Sequence, residues 1–377
     1  MPVFVLAENY STYCSYIQRD HSHVGDSIKL IQIYDKLYRF AVKKSVFDSG
    51  DDSFGKAINH PLGQIVEMLI VSLWPDKPTR GGLLPEDLKK RLDAILCEDS
   101  ESSMMGKCIM ASKVVPLHYL DNVWVNSQLR PLFAEPIETS IGIWISYLYS
   151  GRLSPDFISD FSEELFAVLN KGDNFQDTAQ NKLYQIIAII GLDYSESFPE
   201  EKIQNILATC PIEALFHVVN YLRRRLDHPS TGSEAWDEYV WPFIERYWTI
   251  TGDRYSSRIS GEFAKIIIGS GTEFSNRFQN LITYLGSMDE YYGLCISILK
   301  AVDEESIALK DFPELLDLLE ILVKDSSSTS SYDYKLVREC TDKIIVKNPR
   351  IKERSSYLNI NEILLKKGFN VGDGLKP

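Results

Sequence analysis

Apolar residues between positions 58 and 74 recur with a helical beat. Leu62, Ile65, Val66, Leu69, Ile70 and Leu73 follow the i, i+3, i+4, i+7 ladder that places them on one face of a helix. Met68, Val71 and Trp74 widen that face, so the pattern predicts a well-buried helix. Asn59 is the predicted N-cap, with His60 as the poorer acceptor. Pro61 suits the first turn, where its missing N–H costs nothing, and Pro75 and Pro78 predict the stop. Gly63 marks a place where another helix can come close.

The same grammar runs to the end of the chain. Pro85 opens LLPEDLKKRLDAIL, with acids in the first turn and Leu88, Leu92, Ile95 and Leu96 at helical spacing. Glu138 to Tyr149 reads as a helix closed by Gly151, and Ser154 and Pro155 read as the cap and first residue of the next. Strand signals are few, and β-branched runs such as KVVPLHYL stand isolated. The predicted fold is all-α, an irregular helical-repeat, α-solenoid-like array. Its expected parts are an N-terminal segment over 1–54 packed on the array, the array itself over 55–325, C-terminal helices over 334–370 and a frayed tail over 371–377. CEDSESSMMGK (97–107) and the Ser-rich 325–333 read as loops or linkers. One internal echo stands out. WVNSQLRPLF at 124–133 and WDEYVWPFIERYW at 236–248 each set a Trp six or seven residues before a Pro.

Charge narrows the choice of partners. The chain carries a formal net charge of -13, which opposes nonspecific approach to DNA or anionic membranes. Its six cysteines are scattered without a CxxC pair, which supports neither a zinc site nor a disulfide framework. The start lacks a signal-peptide pattern, and no apolar run reaches the ~20 residues of a membrane span. The expected location is the cytoplasm. The opening residues fit either a free subunit or a piece of a longer chain.

Candidate chemistry is sparse. Gly269 and Gly271 in IIIGSGTEF lack the Lys-Ser/Thr of a phosphate-binding loop and the third glycine of a dinucleotide fingerprint, so they read as a helix end followed by a helix capped at Thr272. His21 and His23 lie in a polar stretch with too few ligands for a closed metal site, and His217 reads as a packed helix residue. His60 and Glu67 are two helical turns apart, too far for a direct hydrogen bond. Paired carboxylates such as Glu163 and Glu164 sit near helix starts, where the dipole favours them. No catalytic signature, cofactor motif or metal motif emerges, and the chain reads as non-enzymatic. The candidate partner contact is Arg223, Arg224 and Arg225, a basic run in an acidic chain. Three consecutive arginines fan over about 200° of a helix, so at most two share a face.

Several stretches carry a family likeness: NHPLGQIVEML, WVNSQLRPLF, IWISYLYSGRLSPDF, EAWDEYVWPFIERYW, SSRISGEFAKIIIGSGTEFSNRFQNLI and NPRIKERSSYLNINEILLKKG. Together, over about residues 55–370, they resemble the helical C-terminal region of bacterial sirtuin-like antiphage defence proteins. In that family an NAD-consuming domain precedes the array, and the array senses infection or holds the assembly together. This sequence lacks the glycine-rich NAD motif, so the resemblance implies the sensing or scaffolding half alone. The expectation is a bacterial antiphage sensor or scaffold that binds an effector subunit or a phage component. An enzyme with an unrecognised site and a nucleic-acid-binding helical array are the competing readings. A gel shift with duplex DNA at about 50 mM salt is expected to give no complex, because phosphate contacts dominate such affinity at low salt. A shifted band would transfer the arginine run to that competing role.

Overall fold

A computed structural model describes Tyr38 and residues 52–71, 79–227, 234–248, 256–286, 288, 292–324, 326 and 330–369. The expected segment 1–54, apart from Tyr38 and residues 52–54, lies outside the described residues, as do His21, His23, Trp74, Pro75 and Pro78, residues 325 and 327–329 of the Ser-rich stretch and the tail 371–377. Within the described residues every regular element is helical, with no strand. The chain forms two compact units, Met1–Ile206 and Leu207–Pro377. The division falls inside a helix, Glu200–Thr209, where the hydrophobic pattern marks no boundary.

Among the described residues of the first unit, the first helices with full bounds are α1 (Ser53–Asn59) and α2 (Pro61–Val71). The predicted cap shifts by one residue. Asn59 is still helical and spends its side-chain amide on the Gly55 carbonyl at 2.8 Å. His60 has the extended backbone that a cap needs, and its Nδ1 accepts the Leu62 N–H at 3.1 Å. Glu67 pairs instead with Lys113, 3.7 Å away. The α2 ladder is buried as its spacing predicts, with Leu62, Ile65 and Val66 fully covered. Each such side chain stabilises the fold by about 1.5–3 kcal/mol relative to exposure.

After α3 (Glu86–Leu96), the expected loop at 97–107 is instead most of α4 (Glu101–Ser112). Ser100 caps it by accepting the Ser103 N–H, and the Ser103 hydroxyl accepts the Ser100 N–H in return. The polarity that suggested a loop belongs to this cap. Past it, Ser102, Ser103, Gly106, Cys108, Ile109 and Ala111 are all buried, because α4 packs against α1, α2, α3 and the long helix Ile137–Ser150. A helix enclosed by four others has to be thin. A Cβ on Gly106 would lie 2.8 Å from Ile95 Cγ2 and 3.2 Å from Val66 Cγ2.

KVVPLHYL is helical as well, forming α5 (Val114–Leu120) with Pro116 in its first turn. Beyond it, α6 (Asn122–Trp124) runs through a π-turn, Val125–Leu129, into α7 (Arg130–Ala134). Then follow α8 (Ile137–Ser150), α9 (Pro155–Asp160), α10 (Ser162–Leu169), α11 (Asp177–Asp193) and α12 (Glu200–Thr209). Gly151 ends α8 at φ +57, and the Ser154 side chain caps α9 by accepting the Phe157 N–H.

The second unit comprises α13 (Ile212–Asp227), α14 (Trp241–Tyr247), α15 (Ser257–Ile268), α16 (Phe274–Leu281), α17 (Tyr292–Asp303), α18 (Phe312–Val323), α19 (Ser331–Lys347) and α20 (Ser355–Lys366). Thr272 does not cap α16. It sits within a 3-10 turn, Gly271–Glu273, whose first residue has φ +58. The two Trp…Pro echoes correspond: Trp236–Val240 is a π-turn like Val125–Leu129, and each leads into a helix with proline at its second residue. The physical cause is shared. Proline lacks the N–H for the i−4 carbonyl and its ring crowds that carbonyl, so the turn before it widens.

Helices of this unit meet in register. Glu213 faces Arg258, and Asn220 reaches Glu262, so α13 and α15 run parallel. Cys340 Sγ meets the Cys295 carbonyl, and Lys347 meets the Val302 carbonyl, so α17 and α19 do too. Arg354 to Asp317 and Asn359 to Glu320 align α18 with α20.

Gly63 tests the packing of the first unit. A Cβ there would strike the Ala57 carbonyl oxygen, which is backbone and cannot swing aside. Gly63→Ala is expected to destabilise by about 1–3 kcal/mol in urea denaturation. An unchanged midpoint would contradict this close approach.

Candidate functional site

The arginine run occupies the last turns of α13. Arg223 is half-buried and committed within the unit. Its Nε donates to Glu262 Oε2 at 2.7 Å, and Nη1 donates to Asp227 Oδ2 at 2.6 Å. Glu262 is only 3% exposed and also accepts from Asn220 Nδ2 at 3.0 Å and Lys265 Nζ at 2.6 Å. Burial by itself would push its carboxyl up, but the bonds from Lys265, Arg223 and Asn220 outweigh it and hold the group below the ordinary carboxylate range. The Arg225 guanidinium lies 5.8 Å from the centre of the Tyr239 ring. Arg224 is the exposed member. The run therefore divides into an inter-helix clasp, an aromatic contact and one solvent-facing cation.

Beside the clasp, the C-terminal ends of α13, α15 and α17 surround a cavity of about 320 Å³. Arg223, Lys265 and Lys300 line it together with Asp227 and Glu304. Cations suit helix C-termini, where the carbonyl ends of the dipoles gather. With carboxylates interleaved, the cavity is close to charge-balanced and lacks the basic character of a phosphate groove.

In the first unit the structure joins residues that the sequence leaves 42 apart. Buried His118 on α5 places Nε2 2.8 Å from Asp160 Oδ2 at the end of α9. Asn126 Nδ2 donates to the same oxygen at 2.7 Å. Burial opposes ionisation of Asp160, but the bonds from Asn126 and His118 prevail and lower its pKa. The Phe157 and Phe161 rings meet the imidazole edge-on at 5.9 and 6.1 Å. A cavity of about 240 Å³ opens here, lined also by Arg80, Tyr119 and Asp156. Arg80 and Asp156 pair with each other.

The loop leading into α3 is fastened to the same corner. Gly81 N donates to the Tyr119 carbonyl at 3.1 Å, Leu83 N to the Leu120 carbonyl at 3.2 Å, and Leu84 N to Asp121 Oδ2 at 3.1 Å. Asp121 is buried, pairs with Lys89 at 2.9 Å and caps α6 through the Trp124 N–H. Between these ties Leu83 takes φ +64, a left-handed backbone costing about 1–2 kcal/mol for a residue with a side chain. The result is that Leu84 is buried and Leu83 is 58% exposed; Tyr119 and Val123, on either side in sequence of the Leu120 carbonyl that holds the Leu83 N–H, are exposed as well.

A third hollow, about 460 Å³, lies between α8 and α10 and is closed at one end by α7. Phe133 and Trp144 meet edge to face at its base, 4.9 Å apart. Glu135, Glu138, Glu163 and Glu164 line it with Lys171. Sequence reasoning placed Glu163 and Glu164 at a helix start and went no further; their meeting with Glu135 and Glu138 depends on how α8 packs against α10.

Among the described residues no group of three or more His, Cys, Asp or Glu side chains is arranged to hold a metal ion. No described helix is long and apolar enough to cross a membrane. The fold and these sites define an all-α chain of two helical units. No family model, curated protein or solved structure matches it.

The clasp has a pH signature. Because the folded-state pKa of Glu262 is depressed, its contribution is present above about pH 4.3 and is lost as pH falls through the folded value. Glu262→Gln is expected to cost about 1–3 kcal/mol at neutral pH. It should also flatten the loss of stability on acidification below about pH 4.3. An acid limb identical to wild type in urea titrations would contradict this assignment.

Proposed function

We propose that the chain is a non-enzymatic helical interaction module that docks a protein partner through the corner formed by Leu83, Tyr119 and Val123. The observation that carries this reading is Leu83. Two backbone–backbone hydrogen bonds and one from the Leu84 N–H to the Asp121 carboxylate hold its surroundings, and the strained backbone turns a large apolar side chain toward water. Unpartnered, that arrangement costs free energy twice, in backbone strain and in exposed apolar area. A partner that covers the corner recovers the second cost. The flanking Arg80 and Asp156 give it the polar rim usual around interface anchors.

The second unit supports a scaffold role. Its cross-helix bonds span 39 residues from Arg223 to Glu262, 42 from Asn220 to Glu262 and 45 from Cys295 to Cys340. Separations of about 40 residues between stacked parallel helices are those of helical-repeat arrays, which use their length to hold partners. We read the second unit as a short array of this kind. The likeness to the helical region of sirtuin-like antiphage proteins makes the partner an effector subunit or a phage component, and the role sensing or scaffolding in the bacterial cytoplasm.

Leu83→Gly separates docking from folding. Glycine accepts the left-handed backbone without strain, so folding stability is expected to hold or rise while the anchor is lost. Combined with Val123→Ser, it should reduce recovery of a stoichiometric partner from infected or uninfected bacterial cells about tenfold, as loss of one or more interface anchors does. Recovery of the same proteins in the same amounts by both forms would overturn the reading.

A further inference from the structure

We infer that a second docking surface lies at the C-terminal ends of α17 and α19, within the second unit, and takes an acidic polypeptide segment. Two exposed apolar side chains mark it, Leu309 at 55% and Val346 at 68%. They stand on adjoining turns. Asn348 follows α19, and its Nδ2 donates to the Leu309 carbonyl at 3.5 Å. Lys347 Nζ donates to the Val302 carbonyl at 2.7 Å and to Glu305 Oε1 at 3.2 Å, which ties the same two segments again. The exposure is built into the backbone. Glu305, just past α17, takes φ +55, a left-handed conformation that favours glycine, and the Ser306 N–H returns to the Ala301 carbonyl at 3.0 Å. This turn buries Ile307 and leaves Leu309 outside, as the first residue of a 3-10 turn, Leu309–Asp311. On α19, Ile344 and Ile345 are buried while Val346 is not. A single exposed leucine or valine is ordinary on a protein surface; two on adjoining turns, beside unanswered charge, form a patch.

Charge names the occupant. Residues 343–354 hold five cations and one acid, in a chain whose net charge is -13. Lys343, Lys347 and Arg354 are answered by Asp303, Glu305 and Asp317. Among the described residues Lys310, next to Leu309, and Arg350 and Lys352, in the 3-10 turn Pro349–Glu353, enter no ion pair, and all three are exposed. Against them stand Glu353, which is exposed, and Asp311, which is buried; burial pushes the Asp311 carboxyl up. The surplus is positive. Carboxylates of a partner meet Arg350 and the two lysines at the rim, and an apolar side chain between those carboxylates covers Leu309 and Val346. A membrane or a nucleic acid instead presents uniform negative charge to the whole chain, which the -13 total repels. The surface is independent of the Leu83 corner, and failure of either leaves the test of the other intact.

Fluorescence anisotropy of the full chain with a labelled peptide of alternating glutamate and leucine tests this, beside a peptide of alternating glutamate and serine. The glutamate–leucine peptide is expected to bind saturably below about millimolar concentration, more weakly as salt rises. The glutamate–serine peptide should bind at least about fivefold more weakly, because it leaves Leu309 and Val346 uncovered. Lys310→Glu, Arg350→Glu and Lys352→Glu together should weaken binding about tenfold or more, and Leu309→Ser with Val346→Ser about five- to tenfold. All five side chains are exposed, so the variants are expected to melt as wild type does, read by circular dichroism. Lys171→Glu, Lys335→Glu and Lys366→Glu together change the net charge equally at exposed positions elsewhere, and should leave affinity unchanged. Absence of glutamate–leucine binding, equal binding of the glutamate–serine peptide, or an equal loss in the second charge-reversal triple would each overturn the inference. So would binding of phosphatidylserine vesicles or duplex DNA that the first triple abolishes, since it would assign the patch to a lipid or a nucleic acid.

Discussion

The close enclosure of α4 is the constraint on which the first unit depends. Four helices press on it, so it carries Ser102, Ser103, Gly106, Cys108 and Ala111 where a free-standing helix would carry larger side chains. Interiors are packed as densely as organic crystals, and a single added methyl group at such a contact has nowhere to go. With α4 central, α2 and α8 both pack against it. The placement of α8 in turn sets Tyr147 against Phe157 at 5.5 Å and Trp144 against Phe133 at 4.9 Å, and Phe133 meets Phe161 at 5.5 Å. The acidic hollow is lined by Phe133 and Trp144 of this aromatic base.

In the second unit charge does part of what packing does in the first. Glu262 is buried among Arg223, Asn220 and Lys265, and a buried charge is tolerated only where partners surround it. That requirement pins α13 to α15 at one register. Lys343 with Asp303, and Lys347 with Glu305, join the α17 end to α19 in the same manner. Arg223 thus serves the fold, while Arg224 in the same run stays exposed.

The sites differ in what they retain for solvent. His118 and Asn126 both bond Asp160, and the Glu262 clasp accepts from Arg223, Asn220 and Lys265, so these charges are answered within the fold. The Leu83 corner keeps an exposed apolar side chain on strained backbone, and that is why docking is assigned to it.

Helical periodicity alone settled the all-α class and most helix positions. The Leu62–Ile70 ladder, the Gly151 stop and the Ser154–Pro155 start each depend on neighbours within a few residues, and such interactions are written locally. Even the Trp…Pro echo was legible, because a proline acts on the turn immediately before it. Tertiary structure decided the rest. Polar residues at 97–107 imitate a loop until four neighbouring helices make small size the requirement. His60 replaces Asn59 as the cap because α1 continues through Asn59. Arg223 meets Glu262 across 39 residues, and Glu164 and Glu135 come to line one hollow only through packing, so neither leaves a trace in local pattern. Short-range geometry fixes what each segment is; which charges meet, and which are left unpaired, depends on how the segments lie together in space.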